Sequence, residues 1–286
     1  METINIKGNL TALSPIHHGG SEDYGTTRLI HQQPTIIINP ETGAEEIDNI
    51  PCIHGNAIRG YLRRLIMDDF LTLLDYPLDS KKIYHFLFTG GLLEAVNPAD
   101  KGAINLSLKK KLRKLIPPLS LLGSAIGNQM FEGKLKVDLL FIVCAETKHY
   151  LTDYTGYAPS IYNLRSLDFG TRLDDLKGDY TEEEQEESGQ HHQMKYEFET
   201  LVRGTKFTHE FTLEDCNSVE KACFTRMISL WEERPYIGGK SGIGYGKVKL
   251  DYPQLTEWSD IDYLNFIHEN KDEIISLLND LVKTWK

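Results

Sequence analysis

The chain has 286 residues, of which 40% are hydrophobic, and a formal net charge of -11 at pH 7. This length allows one large domain or two small ones. The sequence contains no run of about 18 apolar residues, so we expect no membrane-spanning helix. The polar start has no signal-peptide pattern, and the four cysteines form no C-x-x-C pair. These features predict a cytoplasmic protein with reduced thiols.

The negative charge is concentrated in two places. Most of it lies in the acidic run 179–188 and in the segment 254–286. The rest of the chain is close to neutral and contains two basic clusters, 59-RGYLRR-64 and 109-KKKLRK-114. The net charge taken alone argues against a nucleic-acid ligand. Its uneven distribution still allows a basic patch on the surface.

The first predicted elements are a strand, a loop and a second strand. Apolar and polar residues alternate strictly over 3–13, which predicts a half-buried strand. The turn-rich stretch 14-SPIHHGGSEDYG-25 follows. A short apolar run at 35–39 predicts the second strand.

The first helix is predicted to begin at Asn56 as its N-cap and to end near Tyr76. Arg59 and Arg63 are four residues apart, so they share one face near the N-terminal end, and Arg64 follows them. A helix start combines free N–H groups with a positive dipole end, and arginine forks add phosphate affinity. The ordinary alternative is a solvated basic face.

The second half of the chain begins with the strongest strand pattern, at 134–146. The segment 147–195 then has little apolar periodicity and predicts a thumb-like excursion. Strand-like runs occupy 196–204 and 205–213, and a helix at 219–233 is predicted to be capped by Asp215 or Ser218. A strand within 245–252 and a final amphipathic helix within 257–286 complete the chain.

Without the insertions, the order of these elements is β, α, β, excursion, β, α, β. This order is typical of an α+β ferredoxin-like (RRM-like) fold, in which four antiparallel strands carry two helices on one face. We therefore expect a single domain over 1–286, with helical insertions and a thumb-like excursion. The RRM binds single-stranded RNA on such a sheet.

A glycine-rich stretch, 236-YIGGKSGIGYG-246, precedes the last strand. Its letters G-K-S suggest a Walker loop, but Arg234 stands where that loop needs a glycine, and a strand follows instead of a helix. The glycines are expected to adopt positive φ angles. They could also let a polyanion approach the backbone N–H groups, with Lys240 adding a charge.

Four stretches together resemble a known family. They are S-P-I-H-H-G-G at 14–20, IPCIHGNAIRGYLRR at 50–64, EFETLVRGTKF at 197–207 and IGGKSGIGYG at 237–246. In order and spacing they resemble motifs of the CRISPR-associated RAMP superfamily, in particular its repeated backbone subunits. Gly25-Thr26-Thr27-Arg28 and the arginine-rich helix are most similar to the type IV branch.

The resemblance implies a non-catalytic subunit that binds CRISPR guide RNA and polymerises head-to-tail along the spacer, beside other effector subunits. Target DNA or RNA would pair with the guide, and the thumb would reach the neighbouring copy. It implies no cofactor and no metal. The residues expected to bind RNA are His17, His18, Arg28, Asn56, Arg59, Arg63, Arg64, Arg172, Gly238, Gly239, Lys240, Ser241 and Gly242.

Alternative functions remain open. RNA-cleaving type III backbone subunits carry a catalytic aspartate after the G-G turn, but Thr27 or Arg28 stands at the matching position, so we expect no such cleavage. A related endoribonuclease that processes guide-RNA precursors would use His17 or His18 as general acid or base. A third alternative is a structural protein that assembles without nucleic acid. Cys52 and His54 are too few ligands for a zinc site.

Overall fold

The computed structural model describes residues 2–91, 105–126, 129–151, 154, 156–172 and 194–284. Over these residues the protein is a mixed α/β structure with antiparallel sheets and several helices. The strands are β1 (Thr3–Ala12), β2 (Gly19–Tyr24), β3 (Thr27–Ile30), β4 (Gln32–Ile38), β5 (Glu45–Ile53), β6 (Ser124–Ile126), β7 (Gln129–Phe131), β8 (Leu135–Val137), β9 (Leu140–Ile142), β10 (Arg165–Arg172), β11 (Met194–Leu201), β12 (Lys206–Glu214) and β13 (Val248–Asp251). The helices are α1 (Gly55–Leu74), α2 (Lys81–Tyr84), α3 (Leu106–Leu115), α4 (Pro117–Leu122), α5 (Ile161–Leu164), α6 (Ser218–Glu233), α7 (Ile261–Glu269) and α8 (Lys271–Thr284).

The main sheet has the strand order β13-β1-β12-β9-β5-β4, and β8 also pairs with β12. The predicted alternation in the first strand is confirmed, since Ile6 and Leu10 are fully buried. They lie opposite Phe211 and Phe207 of β12 in an antiparallel register. Helix α6 packs on this face through Phe224, whose ring lies 5.2 Å from that of Phe211. The core therefore lies between the sheet and the helices.

The N-terminal caps of both long helices differ from the predicted ones. Helix α1 begins at Gly55, and its cap is His54, whose Nδ1 accepts a hydrogen bond from the N–H of Asn56. Asn56 therefore lies in the first turn and is not the cap. Helix α6 is capped by Asn217 in a capping box with Glu220, not by the residues predicted from the sequence.

The predicted strand at 134–146 is interrupted. It forms two short strands, β8 and β9, and both pair with β12. The start of α1 packs against the connection between them, where a Cβ on Gly55 would overlap the carbonyl oxygens of Val137 and Asp138. The main sheet also gains the β4–β5 hairpin, of which the sequence predicted only the first strand.

A second sheet has the order β10-β11-β3-β2. Its strands β10 and β11 flank the gap at 173–193, and the described part of the predicted excursion 147–195 contains a 3-10 helix (Lys148–Tyr150), α5, β10 and the beginning of β11. The acidic run 179–188 lies outside the described residues. Strand β11 pairs with β3 in parallel, which joins this excursion to the loop after β1.

The predicted C-terminal helix is two helices, α7 and α8, separated by Asn270. Ile267, Ile274 and Leu278 are buried and belong to the main core cluster. The C-terminal segment therefore packs onto the main core. Within the described ranges, the structure contains no helix that is both long and apolar enough to cross a membrane.

Candidate nucleic-acid interface

The glycine-rich loop is attached to the loop that follows β1. The N–H of Gly239 donates to the carbonyl of His17 (2.7 Å), and the N–H of Gly246 donates to the carbonyl of Pro15 (2.8 Å). Gly238 has a φ of 74°, and a Cβ there would lie 2.5 Å from the carbonyl oxygen of His17. Positive φ and close approach therefore explain Gly238 and Gly246, as expected for such a loop.

Lys240 is held by two aromatic rings of β11. Its Nζ lies 4.1 Å from the ring centroid of Phe198 and 4.6 Å from that of Tyr196. Its backbone is left-handed, with a φ of 62°. Among the described residues, no carboxylate forms an ion pair with Lys240. The rings thus fix the ammonium group by cation–π attraction without neutralising its charge.

His17 packs against strand β11 next to the glycine-rich loop. Its side chain is buried, its Nδ1 lies 2.8 Å from the carbonyl oxygen of Glu199, and its ring meets Phe198 edge-on at 5.1 Å. Burial lowers the pKa of His17, and the charges of Lys240 and Arg28 lower it further. A buried, neutral imidazole fits a structural support of the glycine-rich loop better than the predicted contact with RNA.

His18 belongs to a row of three histidines with His31 and His54. The ring centroids are 5.7 Å apart in both neighbouring pairs. Burial lowers the pKa of His18 to about 4, and the other histidines contribute. Among the described residues, neither this row nor any other group of three or more His, Cys, Asp or Glu side chains has an arrangement that could hold a metal ion. Burial also raises the pKa of Cys52 to about 11, which disfavours the thiolate that zinc binds.

A pocket of about 330 Å³ lies between the start of α1 and the glycine-rich loop. It brings together five of the residues predicted from the sequence: His18, Asn56, Arg64, Gly238 and Ser241. We call it the α1–glycine pocket. The whole lining consists of these residues and Ile53, Ala57, Ile58, Gly60, Tyr61, Trp231, Tyr236 and Ile237.

Arg64 is the cation of this pocket. Its side chain is exposed, its Cζ lies 6.0 Å from the ring centroid of Tyr61, and it forms no ion pair with any described carboxylate. Ser241 of the glycine-rich loop lines the pocket and is exposed. Gly242, the next residue, is also exposed. The start of α1 and the glycine-rich loop therefore line the same pocket.

Arg59 and Arg63 do not face this pocket, and their geometry does not fit the predicted phosphate contact. Arg59 donates to the carbonyls of Leu135 (2.5 Å) and Leu122 (2.7 Å). Arg63 is only 7% exposed and donates to the carbonyls of Leu87, Leu122 and Gly123. Burial, with the charge of Arg59, lowers the pKa of Arg63 to about 10. These arginines satisfy carbonyl groups at the C-terminal end of α4, which have no partner within the helix.

The two remaining predicted arginines lie in the second sheet. Arg28 of β3 is exposed, and its Nε lies 3.5 Å from Asp23 Oδ1. Its side chain is next to Gly19, on the same side of the molecule as His17. Arg172 ends β10 at the border of the described residues, so its role stays a prediction.

Two carboxylates next to Phe198, the ring under Lys240, have other partners. Glu199 accepts from Arg165 Nε (2.5 Å) and from the N–H of Ile30 (3.1 Å). Asp168 accepts from the hydroxyl of Tyr245 (3.3 Å). Glu199 pairs with Arg165, and neither carboxylate forms an ion pair with Lys240.

Five aromatic residues of the interface were not predicted from the sequence: Tyr61, Tyr196, Phe198, Tyr236 and Tyr245. Only for Tyr196 and Phe198 does the sequence give a hint: they occupy alternate positions of a predicted strand, so they share one of its faces. That this face meets the glycine-rich loop depends on the pairing of β11 with β10 and β3. Such long-range pairing is not readable from one segment.

The sequence matches the family model of the RAMP superfamily over residues 9–249. The chain belongs to the RAMP superfamily. The family predicted from the four motifs is thus confirmed. This RAMP protein also resembles a chain of a solved structure named Type IV-B CRISPR Complex, with a TM-score of 0.58 and 22% sequence identity. The alignment covers 86% of this chain and 89% of the other, which shows a shared fold. No curated protein matches the sequence.

Proposed function

We propose that this RAMP protein is a non-catalytic subunit that binds the guide RNA of a CRISPR effector complex of the type IV branch. The observation that carries the proposal is the pair of unneutralised cations, Lys240 and Arg64, beside the α1–glycine pocket. An RNA backbone placed along the glycine-rich loop would meet both charges.

The strand order supports a ferredoxin-like core for this role. In chain order the four core strands are β1, β9, β12 and β13, and helix α1 follows the first of them and α6 the third. The short strand β8 pairs with β12, as β9 does. In the sheet the four core strands lie in the order fourth, first, third, second. The RRM presents single-stranded RNA on such a scaffold. The β4–β5 hairpin and the second sheet are additions to this core.

Binding would depend on phosphates and riboses more than on base identity. Contacts to phosphates fix the position of a nucleic acid without reading its sequence. A guide subunit needs this property, because the target is recognised by base pairing with the guide. In the same proposal, copies assemble head-to-tail on RNA in the cytoplasm, other effector subunits complete the complex, and the guide pairs with target DNA or RNA.

The geometry of the two histidines favours binding over RNA cleavage. A general acid or base works best with a pKa near the operating pH and within reach of the substrate. His17 is buried against Glu199, and the pKa of His18 is lowered to about 4. These properties support a binding subunit over the endoribonuclease alternative.

The test is the affinity of the purified protein for single-stranded RNA, measured by fluorescence anisotropy over a salt series. Lys240→Gln should weaken binding several-fold and lower the salt slope by about 0.7, the value for one phosphate contact on a single strand. The control Lys249→Gln changes an exposed lysine of β13 and should bind as the wild type does. Equal binding by all three proteins would contradict the proposed interface.

A further inference from the structure

The α1–glycine pocket has an apolar floor and an aromatic wall. Trp231 is fully buried at its base, and Ile53, Ile58 and Ile237 are buried around it. The rings of Tyr61 and Tyr236 also line the cavity. A phosphate needs no such surface, whereas a flat heterocycle gains from stacking on aromatic rings.

The polar groups of the pocket are three neutral side chains and one cation. Asn56, Ser241 and His18 supply neutral hydrogen-bonding groups, and Arg64 supplies the positive charge. No carboxylate is among the lining residues. This composition selects a ligand that is apolar and hydrogen-bonding in one part and anionic in another.

Tyr61 is fixed in place for such a ligand. Its hydroxyl donates to the carbonyl of Arg234 (2.7 Å), which ties α1 to the chain after α6. Burial raises the pKa of Tyr61, so its hydroxyl stays protonated at neutral pH. Because the ring does not have to be ordered on binding, stacking on it costs little conformational entropy.

We propose that the α1–glycine pocket binds one nucleobase of an RNA chain, with the base against Tyr61 and its adjoining phosphate on Arg64. The volume of about 330 Å³ is at the lower end of the range for small-ligand pockets, which suits one nucleotide unit. This inference rests on the proposed RNA binding but goes beyond it, since that function requires only contacts with the backbone.

The experiment compares a 12-nucleotide RNA with a ribose–phosphate chain of the same length that carries no bases. The wild type should bind the RNA about tenfold more tightly, as expected from stacking of one base. Tyr61→Leu should lose this preference and keep the affinity for the abasic chain. Arg64→Gln should weaken binding to both chains. Tyr61→Phe keeps the ring but loses the hydrogen bond to Arg234, so it should keep most of the preference, and thermal unfolding shows whether each variant is folded.

The outcomes separate the two proposals. If the wild type binds both chains equally, or if folded Tyr61→Leu keeps the preference, the base pocket is wrong and RNA binding stands. If the wild type binds neither chain, both proposals fail. A third arm uses 2-aminopurine riboside monophosphate as a free nucleotide. Binding to the protein should quench the fluorescence of this nucleotide. If the quenching occurs and added RNA does not reverse it, the pocket binds a free nucleotide and not a base of the RNA, which would overturn the proposal.

Discussion

Lys240 illustrates how a single charge becomes usable for binding. A lysine in a glycine-rich loop is ordinarily mobile, and ordering its long side chain costs conformational entropy. Here Phe198 and Tyr196 hold the ammonium group before a ligand arrives. The sequence identified Lys240 and its glycines, but not the rings, because their position depends on how β11 pairs with distant strands.

Tyr196→Leu tests this positioning. It removes one of the two rings and leaves the charge of Lys240 in place. We expect RNA affinity to fall about two- to fivefold, as for a cation–π contact of about 0.5–1 kcal/mol. The salt slope should stay that of the wild type, because the number of phosphate contacts is unchanged. Tyr196→Phe retains the ring and is the matched control. A changed slope in Tyr196→Leu would argue against a positioning role.

At the scale of the elements, helix α1 carries arginines in two different surroundings, which its sequence does not distinguish. The periodicity predicted the helix and placed three arginines on it, but these arginines separate by their surroundings. Arg63 is buried against the end of α4, whereas Arg64 is exposed beside the α1–glycine pocket. The distinction depends on the position of α4, which no pattern within α1 encodes.

Arg63→Met and Arg64→Met should therefore affect different properties: the first stability, the second RNA binding. Loss of Arg63 removes its hydrogen bonds to the carbonyls of Leu87 and Gly123, while Leu122 keeps its bond from Arg59, and we expect the free energy of unfolding to fall by about 1–3 kcal/mol. RNA affinity of the folded fraction should not change. Arg64→Met should change stability by less than about 0.5 kcal/mol, as is usual at the surface, and should weaken RNA binding. Urea denaturation and fluorescence anisotropy measure the two quantities, and the same pattern in both variants would refute the assignment.

For the whole molecule, the chain order of strands and helices was readable, and the sheet built from them was only partly so. Alternation identified β1 and β12, whose buried faces meet across the sheet. The interruption between β8 and β9 was not readable from the apolar pattern of 134–146, and the connecting residues lie against Gly55 of α1. The second sheet joins β3 to β11, so its formation depends on contacts between segments far apart in the chain.

The buried histidines make the stability of the whole molecule depend on pH. Burial lowers the pKa of His18 and of His209 to about 4, from 6.5 in the unfolded chain. Between these values the unfolded state binds more protons than the folded state. The free energy of unfolding should therefore be constant above about pH 7 and fall as the pH decreases through 6.5 toward 4.

His209 should account for much of this loss. It lies between the hydroxyl of Tyr252 (2.7 Å) and the carbonyl of Asp138 (3.1 Å), and no described carboxylate pairs with it. From pH 7 to 5 its contribution should decrease by about 2 kcal/mol. His209→Gln should be less stable than the wild type at pH 7.5, because the hydrogen bonds are imperfectly replaced, yet its stability should depend less on pH. Urea denaturation at pH 7.5 and pH 5 measures the free energy of unfolding of both proteins. If it changes equally with pH in both, His209 is not the group that takes up the proton on unfolding.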